Sequence, residues 1–302
     1  MGWASRAAIG IVVTLRAVGP ARGAWRSNTS SHEQSGRPRV VATCPATVVL
    51  PAQGEPPIQK RVWSIVERIG AMRVGVCQTP EIMGDVDSAR ALIHEFAGRA
   101  AGVDLLVFPE CFLQGYRPTA EHVRRYAVSC SDVRLDVPQT VVLGMIERDG
   151  DDYYNTAAVI AGGRVVGAYR KTFLTRGESV FTAGGSYPVF ETAGTPFGIN
   201  ICFDGQYPHA AREVARRGAK LLVFPAQNMM RRENAYEWKG RHNELRRKRV
   251  AETGMWLASA DVTGERGGTH IGLGPTCLLD PAGRVVAEVP LGTAGIAVAD
   301  VC

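Results

Sequence analysis

From residue 73 to the end of the chain, short apolar runs alternate with helix-periodic stretches; residues 1–71 sustain neither period. Residues 73–78 (RVGVCQ) form a short β-type run. Residues 87–100 place Ala91, Leu92, Phe96 and Ala100 on one face of an expected helix. Residues 103–108 are continuously apolar up to Pro109, the pattern of a strand buried on both faces. Thr119 suits the N-cap of a helix over 119–128. Strands are expected at 140–146, 156–161 and 165–169, separated by turns at Arg148-Asp149-Gly150-Asp151 and Gly162-Gly163. A strand at 198–202, a helix at 209–217, a strand at 221–224 and a long helix at 236–253 stopped by Gly254 follow. Strands at 256–260, 274–279 and 285–289 finish the set, the last two joined by an Asp280-Pro281-Ala282-Gly283 turn.

One pentapeptide, LLVFP, occurs twice, ending at Pro109 and at Pro225. Two buried strands that end alike suggest a pseudo-symmetric sheet with both carboxyl ends on one edge, where α/β proteins collect ligands. The plainer reading is that this is simply a good buried strand.

Length and charge refine the picture. The 302 residues allow one large α/β domain plus an extension. The net charge of +6 lies wholly in residues 1–71, with nine basic and three acidic side chains, while residues 72–302 hold 26 of each sign. A neutral domain has no global field to steer a polyanion, so nucleic acid is not an expected partner. No stretch reaches the roughly 18 apolar residues of a membrane-crossing helix, and no membrane role is expected. Residues 1–71 read as a basic, disordered extension, or as a segment upstream of a start at Met72, with 72–302 as the functional domain. The run from Ala7 to Leu15 after Arg6 weakly resembles a targeting segment. Seven dispersed cysteines without a C-x-x-C pair suit reduced thiols and a cytoplasmic setting.

Three reactive side chains sit where a core strand stops. Glu110 follows the first LLVFP, Lys171 follows the strand at 165–169, and Cys202 follows FGINI. Each alone has an ordinary reading, as a solvated cap, a surface lysine and a core thiol. Together they suit one chemistry. A thiol with a pKa of about 8.5 is mostly protonated at neutral pH. A carboxylate can take its proton and later deliver it to a leaving amine. An ammonium, with the backbone N–H of Phe203, can stabilise a developing oxyanion. No metal is needed.

The motifs FPECFLQGY around Glu110, YRKTFL around Lys171 and GINICFDGQYP around Cys202 resemble those of the nitrilase superfamily of carbon–nitrogen hydrolases. Lesser matches are YNTAAVI (154–160), GESVFTAGG (177–185) and GPTCLLDPAGRVVAE (274–288), and the resemblance covers nearly all of 72–302. It implies an α–β–β–α sandwich of two packed sheets flanked by helices. It implies Glu110 as general base and acid, Lys171 as oxyanion stabiliser and Cys202 as the nucleophile that forms a thioester. Glu178 matches a second glutamate that orients substrate or holds Lys171. Tyr116, Gln227 and Asn228, just after core strands, are candidate pocket residues. The resemblance also implies a homodimer or higher homo-oligomer and no cofactor.

Two departures stand out. Pro208 is followed by His209 where many members carry glutamate, and the link from Glu110 to Thr140 has room for one evident helix where members commonly have two. Phe203-Asp204 after the cysteine resembles the amidase and carbamoylase branches, so a small amide or N-carbamoyl substrate is expected. The alternatives are a nitrilase proper and an inactive binding or scaffold member. The basic run at 241–249 (RHNELRRKR) reads as a solvated helix face or subunit contact rather than an RNA site, because glutamates intersperse. Asp149, Asp151 and Asp152 read as a hairpin turn rather than a calcium loop, because Ile160 stands where the final glutamate belongs. No phosphate-binding glycine loop and no metal-ligand spacing occurs.

Overall fold

The structure is a computed structural model and describes residues 71–302. The reading of 1–71 as an extension or targeting segment therefore lies outside the described residues, Ala71 apart.

Strand β1 (Met72–Pro80) is followed by helix α1 (Val86–Arg99) and strand β2 (Leu105–Val107). Asp85 caps α1 by accepting from Ser88 N at 3.0 Å, satisfying one of the free N–H groups of a first turn. Helix α2 (Ala120–Tyr126), with Thr119 as N-cap, leads to β3 (Thr140–Asp149), β4 (Asp152–Ala161) and β5 (Arg164–Arg170). Between β2 and β3, α2 is the one α-helix, as the short link predicts. The β3–β4 turn is Gly150-Asp151, since Asp149 pairs with Asp152. Then come β6 (Val189–Thr192), β7 (Thr195–Ile199), α3 (Pro208–Arg216), β8 (Leu221–Pro225) and the two-residue β9 (Met230–Arg231). Helices α4 (Arg232–Trp238) and α5 (Arg241–Thr253) precede β10 (Trp256–Arg266), β11 (His270–Leu273), β12 (Cys277–Leu279), β13 (Val285–Glu288) and β14 (Gly295–Val301).

The main strand order is β5-β4-β3-β2-β1-β10-β8-β7-β6. Strand β10 links two leaves. Its first half pairs in parallel with β8 through Trp256–Ala260 and its second half with β1 through Asp261–Thr263. The expected sandwich is thus a mixed α/β fold whose two leaves are continuous through one strand. The period-2 alternation of a strand divides each run between two cores. Leu105 and Val107 join Val74, Val76 and Val142 in a cluster that also holds Phe197, Ile199, Leu221 and Val223 of the other leaf. Leu106 and Phe108 join Ile93 and Phe96 of α1 in a second cluster. Both faces of LLVFP are buried, as its unbroken apolar run predicts. On the other leaf α3 lies so close to β7 that a Cβ on Gly198 would strike Val214.

Some elements differ from the sequence reading. The expected helix over 236–253 is two helices, broken at Lys239-Gly240, where glycine is a poor helix former. It ends as expected, with Gly254 left-handed at φ 67° and its N–H on Val250 O. Strands β6, β9, β11 and β14 are not among the expected strands. The strand expected at 198–202 ends at Ile199, because Cys202 turns into a 3₁₀ segment (Cys202–Gln206). The basic run is not a fully solvated face: Arg246 and Arg249 are buried, and Arg246 donates to Pro275 O at 2.7 Å.

Candidate active site

The two LLVFP ends meet. Strands β2 and β8 flank the parallel pair β1 and β10, and the N–H of Glu110 donates to Ala226 O at 3.3 Å. The repeated pentapeptide therefore marks one edge approached from both leaves, as the pseudo-symmetric reading requires.

Glu110, Lys171 and Glu178 are gathered here, each with a side chain no more than 1% exposed. Lys171 Nζ donates to Glu110 Oε1 at 2.7 Å and to Glu178 Oε1 and Oε2 at 2.8 and 3.0 Å. Asn155 of β4 donates from Nδ2 to the same two carboxylates, at 2.8 and 3.0 Å. Thr175 N donates to Glu178 Oε2 at 2.8 Å, fixing the loop after Lys171. One ammonium and one amide thus hold two carboxylates that would otherwise repel.

The two carboxylates titrate in opposite directions. Burial raises the Glu110 pKa; Lys171 opposes this, and Glu178 reinforces it. Burial also acts on Glu178, but Lys171 and the hydrogen bonds from Lys171, Thr175 and Asn155 prevail and lower it. Burial alone would pull Lys171 down, yet Glu110, Cys202 and Glu178 hold it well above its ordinary value. Paired groups driven apart in this way divide the work: one stays charged and the other can carry a proton.

Cys202 is half-buried and heads the 3₁₀ segment with φ at 43°, a left-handed conformation costly for a side chain with a Cβ. Asp204 holds this elbow. Its Oδ2 accepts from Ile201 N and Tyr169 Oη, both at 2.8 Å, and its Oδ1 accepts from Phe173 N at 2.8 Å and Thr172 N at 3.2 Å. The strand before Cys202 is thereby tied to the loop just after Lys171; His209, where many members carry glutamate, packs edge-on against Tyr187. Burial and the charge of Glu110 raise the Cys202 thiol pKa, while Lys171 and the backbone N–H of Gln227 work against them. The sulfur therefore lies within the field of both charged partners. Phe203 N sits in the first turn of the 3₁₀ segment, where N–H groups lack partners within the helix.

The other candidates separate. Tyr116 and Gln227 line a cleft with Glu110. Asn228 does not face it. Its N–H and Nδ2 donate to the buried carboxylate of Asp261, at 2.9 and 2.5 Å, so Asn228 secures the loop after β8. Three residues of the site escaped the sequence reading: Asn155, Asp204 and Glu81, a lining residue of the cleft. Asn155 was visible as a lone amide inside an apolar strand, and Glu81 as an acid at a strand end, the same signal that marks Glu110.

Gly144 of β3 underlies Glu110. A Cβ there would strike Pro109 O and lie 2.6 Å from Cys111 N and 2.7 Å from Glu110 Cα. Gly144→Ala is expected to cost about 1–3 kcal/mol, as overpacking does, because the obstruction is backbone and cannot rotate away. Thermal unfolding of the two proteins measures it.

The Carbon-nitrogen hydrolase family model matches residues 73–302. A protein from Pseudomonas protegens called hydrolase in pqqF 5'region is 33% identical over 55% of this chain and 62% of its own length, so this chain aligns with less than two thirds of it. The chloroplastic omega-amidase of Arabidopsis thaliana is 27% identical over 91% of this chain and 75% of its own. The crystal structure of an amidase from Nesterenkonia sp. superposes with a TM-score of 0.65 at 26% identity, covering 76% of this chain and 89% of that one.

Proposed function

The chain belongs to the carbon–nitrogen hydrolase family, and from that premise we propose that it hydrolyses a small amide or N-carbamoyl compound through a thioester on Cys202, releasing ammonia. The observation that carries this reading is the single buried ammonium shared by two carboxylates of opposed proton affinity, beside a cysteine in a strained elbow. Its relatives include amidases and also a Pyrococcus abyssi protein called nitrilase, so the preference for an amide rests on Phe203-Asp204 after the cysteine.

In the proposed reaction each group has one task. Glu110 takes the proton of Cys202 as the sulfur attacks the carbonyl carbon and forms a C–S bond. Lys171 has three N–H groups: one serves Glu110, one is shared by the two oxygens of Glu178, and the third is left for the oxyanion. Phe203 N–H is the second oxyanion donor. The proton on Glu110 passes to the leaving nitrogen, the C–N bond breaks and ammonia departs. Water then adds to the thioester, giving its proton to Glu110. Collapse breaks the C–S bond and the proton returns to sulfur. A carboxyl group whose pKa burial has raised is suited to these exchanges near neutrality. Glu178, its pKa lowered by Lys171 and its hydrogen bonds, favours the protonated form of Lys171 and holds it in place.

The test is ammonia release from paired small amides, ureido acids and nitriles by the full chain. Amides or ureido acids should be consumed in preference to the matching nitriles. Preference for the nitrile would make it a nitrilase instead. Release of ammonia from none of them would overturn the reading in favour of an inactive member.

A further inference from the structure

Glu81 follows β1, with its side chain only 9% exposed, and lines the cleft together with Glu110, Tyr116, Gln227, Ile82 and Phe112. Two donors hold it: Gln227 Nε2 reaches Oε1 at 2.6 Å and an Arg266 guanidinium nitrogen reaches the same oxygen at 3.2 Å. Arg266 also reaches Tyr116 O at 3.5 Å, at the limit of a hydrogen bond. Both firm contacts use Oε1, which leaves Oε2 able to accept from a ligand. Arg266, Arg117 and His270 all lie within electrostatic range of Glu81, yet only Arg266 touches it and none of the three lines the cleft. The charged groups lining the cleft are thus both carboxylates, Glu110 and Glu81, while Cys202 and Lys171 do not line it; Gln227 joins the two regions, its backbone N–H acting on Cys202 and its side chain holding Glu81.

We propose that Glu81, oriented by Gln227 and Arg266, reads the far end of the substrate and selects amides that end in a cation or hydrogen-bond donor over those that end in a carboxylate. This rests on the amide-hydrolase reading above. Burial raises the Glu81 pKa against its neighbours, the position of a carboxylate whose charged form a bound cation would favour. An anionic substrate would bring a like charge against it, and such juxtaposition is an efficient way to exclude a ligand.

The experiment compares 4-aminobutanamide, butanamide and succinamate, which share a four-carbon chain and differ at the far end. For the wild-type enzyme, kcat/KM should fall in that order, with about tenfold or more between the first and the last. In Glu81→Gln, which keeps the shape and the bond to Arg266 no longer charged, the spread should shrink below about threefold, chiefly by faster turnover of succinamate. Wild-type preference for succinamate, or equal rates for all three, overturns the proposal and leaves the amidase reading intact. A spread unchanged in Glu81→Gln overturns the assignment to Glu81. Ammonia from none of the three, and from no other amide, removes both readings together. The wild-type comparison needs no variant, so an unstable Glu81→Gln protein does not shelter the proposal.

Discussion

Cys202→Ala should lower ammonia release by about 10⁴-fold or more while leaving the fold intact. The activity loss follows from the chemistry, because no other sulfur can replace it. Cys111 is the next thiol in the electrostatic neighbourhood, and its pKa is raised well above normal by burial and the Glu110 charge while its sulfur faces Asn155 Oδ1 at 3.3 Å. The fold should persist because alanine meets the same left-handed backbone as cysteine and the elbow is held by Asp204, not by the sulfur. Burial and Glu110 outweigh Lys171 and hold the Cys202 thiol pKa well above its ordinary value. On the proposed route the sulfur depends on Glu110 at the moment of attack, and Glu110→Gln should come close to the same loss. The double variant should be little worse than either single one, as expected of groups that act as a unit. Ammonia assays on the three proteins decide this, with thermal unfolding as the control. Substantial release by Cys202→Ala would remove the thioester route.

Much of the site was legible because each principal residue ends a strand. Glu110, Lys171 and Cys202 lie where apolar runs stop, and a sheet edge is where side chains from distant segments meet. The LLVFP repeat carried the same information twice, and its two ends do bond to each other. The supporting residues were illegible for a physical reason: their roles exist only across the fold. Asn155 matters because it reaches a carboxylate 45 residues away. Asp204 matters because its oxygens hold backbone 31 residues away. Asn228 looked like a pocket residue on position alone, but a buried carboxylate, Asp261, claimed its amide. Strand β14 was not expected although Ile296, Val298 and Val301 favour a strand; what fixes it is its long-range antiparallel register with β1.

The largest stability effect is expected at Lys171. Lys171→Met keeps most of the volume and removes the charge, leaving Glu110 and Glu178 buried together without a cation. Breaking one side of a buried ion pair costs about 3–5 kcal/mol, which for a domain of this size lowers Tm by roughly 10 °C. Activity should vanish as well, but the informative readout is pH. Lys171 lowers the pKa of both carboxylates, so its removal raises them in the folded protein above their unfolded values. A carboxyl group shifted in that sense contributes stability below its unfolded pKa and loses it as pH rises through the folded one. The deficit of Lys171→Met should therefore be greatest at high pH and shrink as pH falls through the raised pKa values of the two carboxyl groups. A merely misfitting side chain would give a deficit independent of pH. Adding Glu110→Gln and Glu178→Gln should recover part of the lost stability at neutral pH, because the penalty belongs to the stranded charges and not to the missing lysine. Tm measured from pH 5 to 8 for wild type, single and triple variants separates these outcomes. A pH-independent deficit, with no recovery in the triple variant, would mean that the cluster is not held by charge.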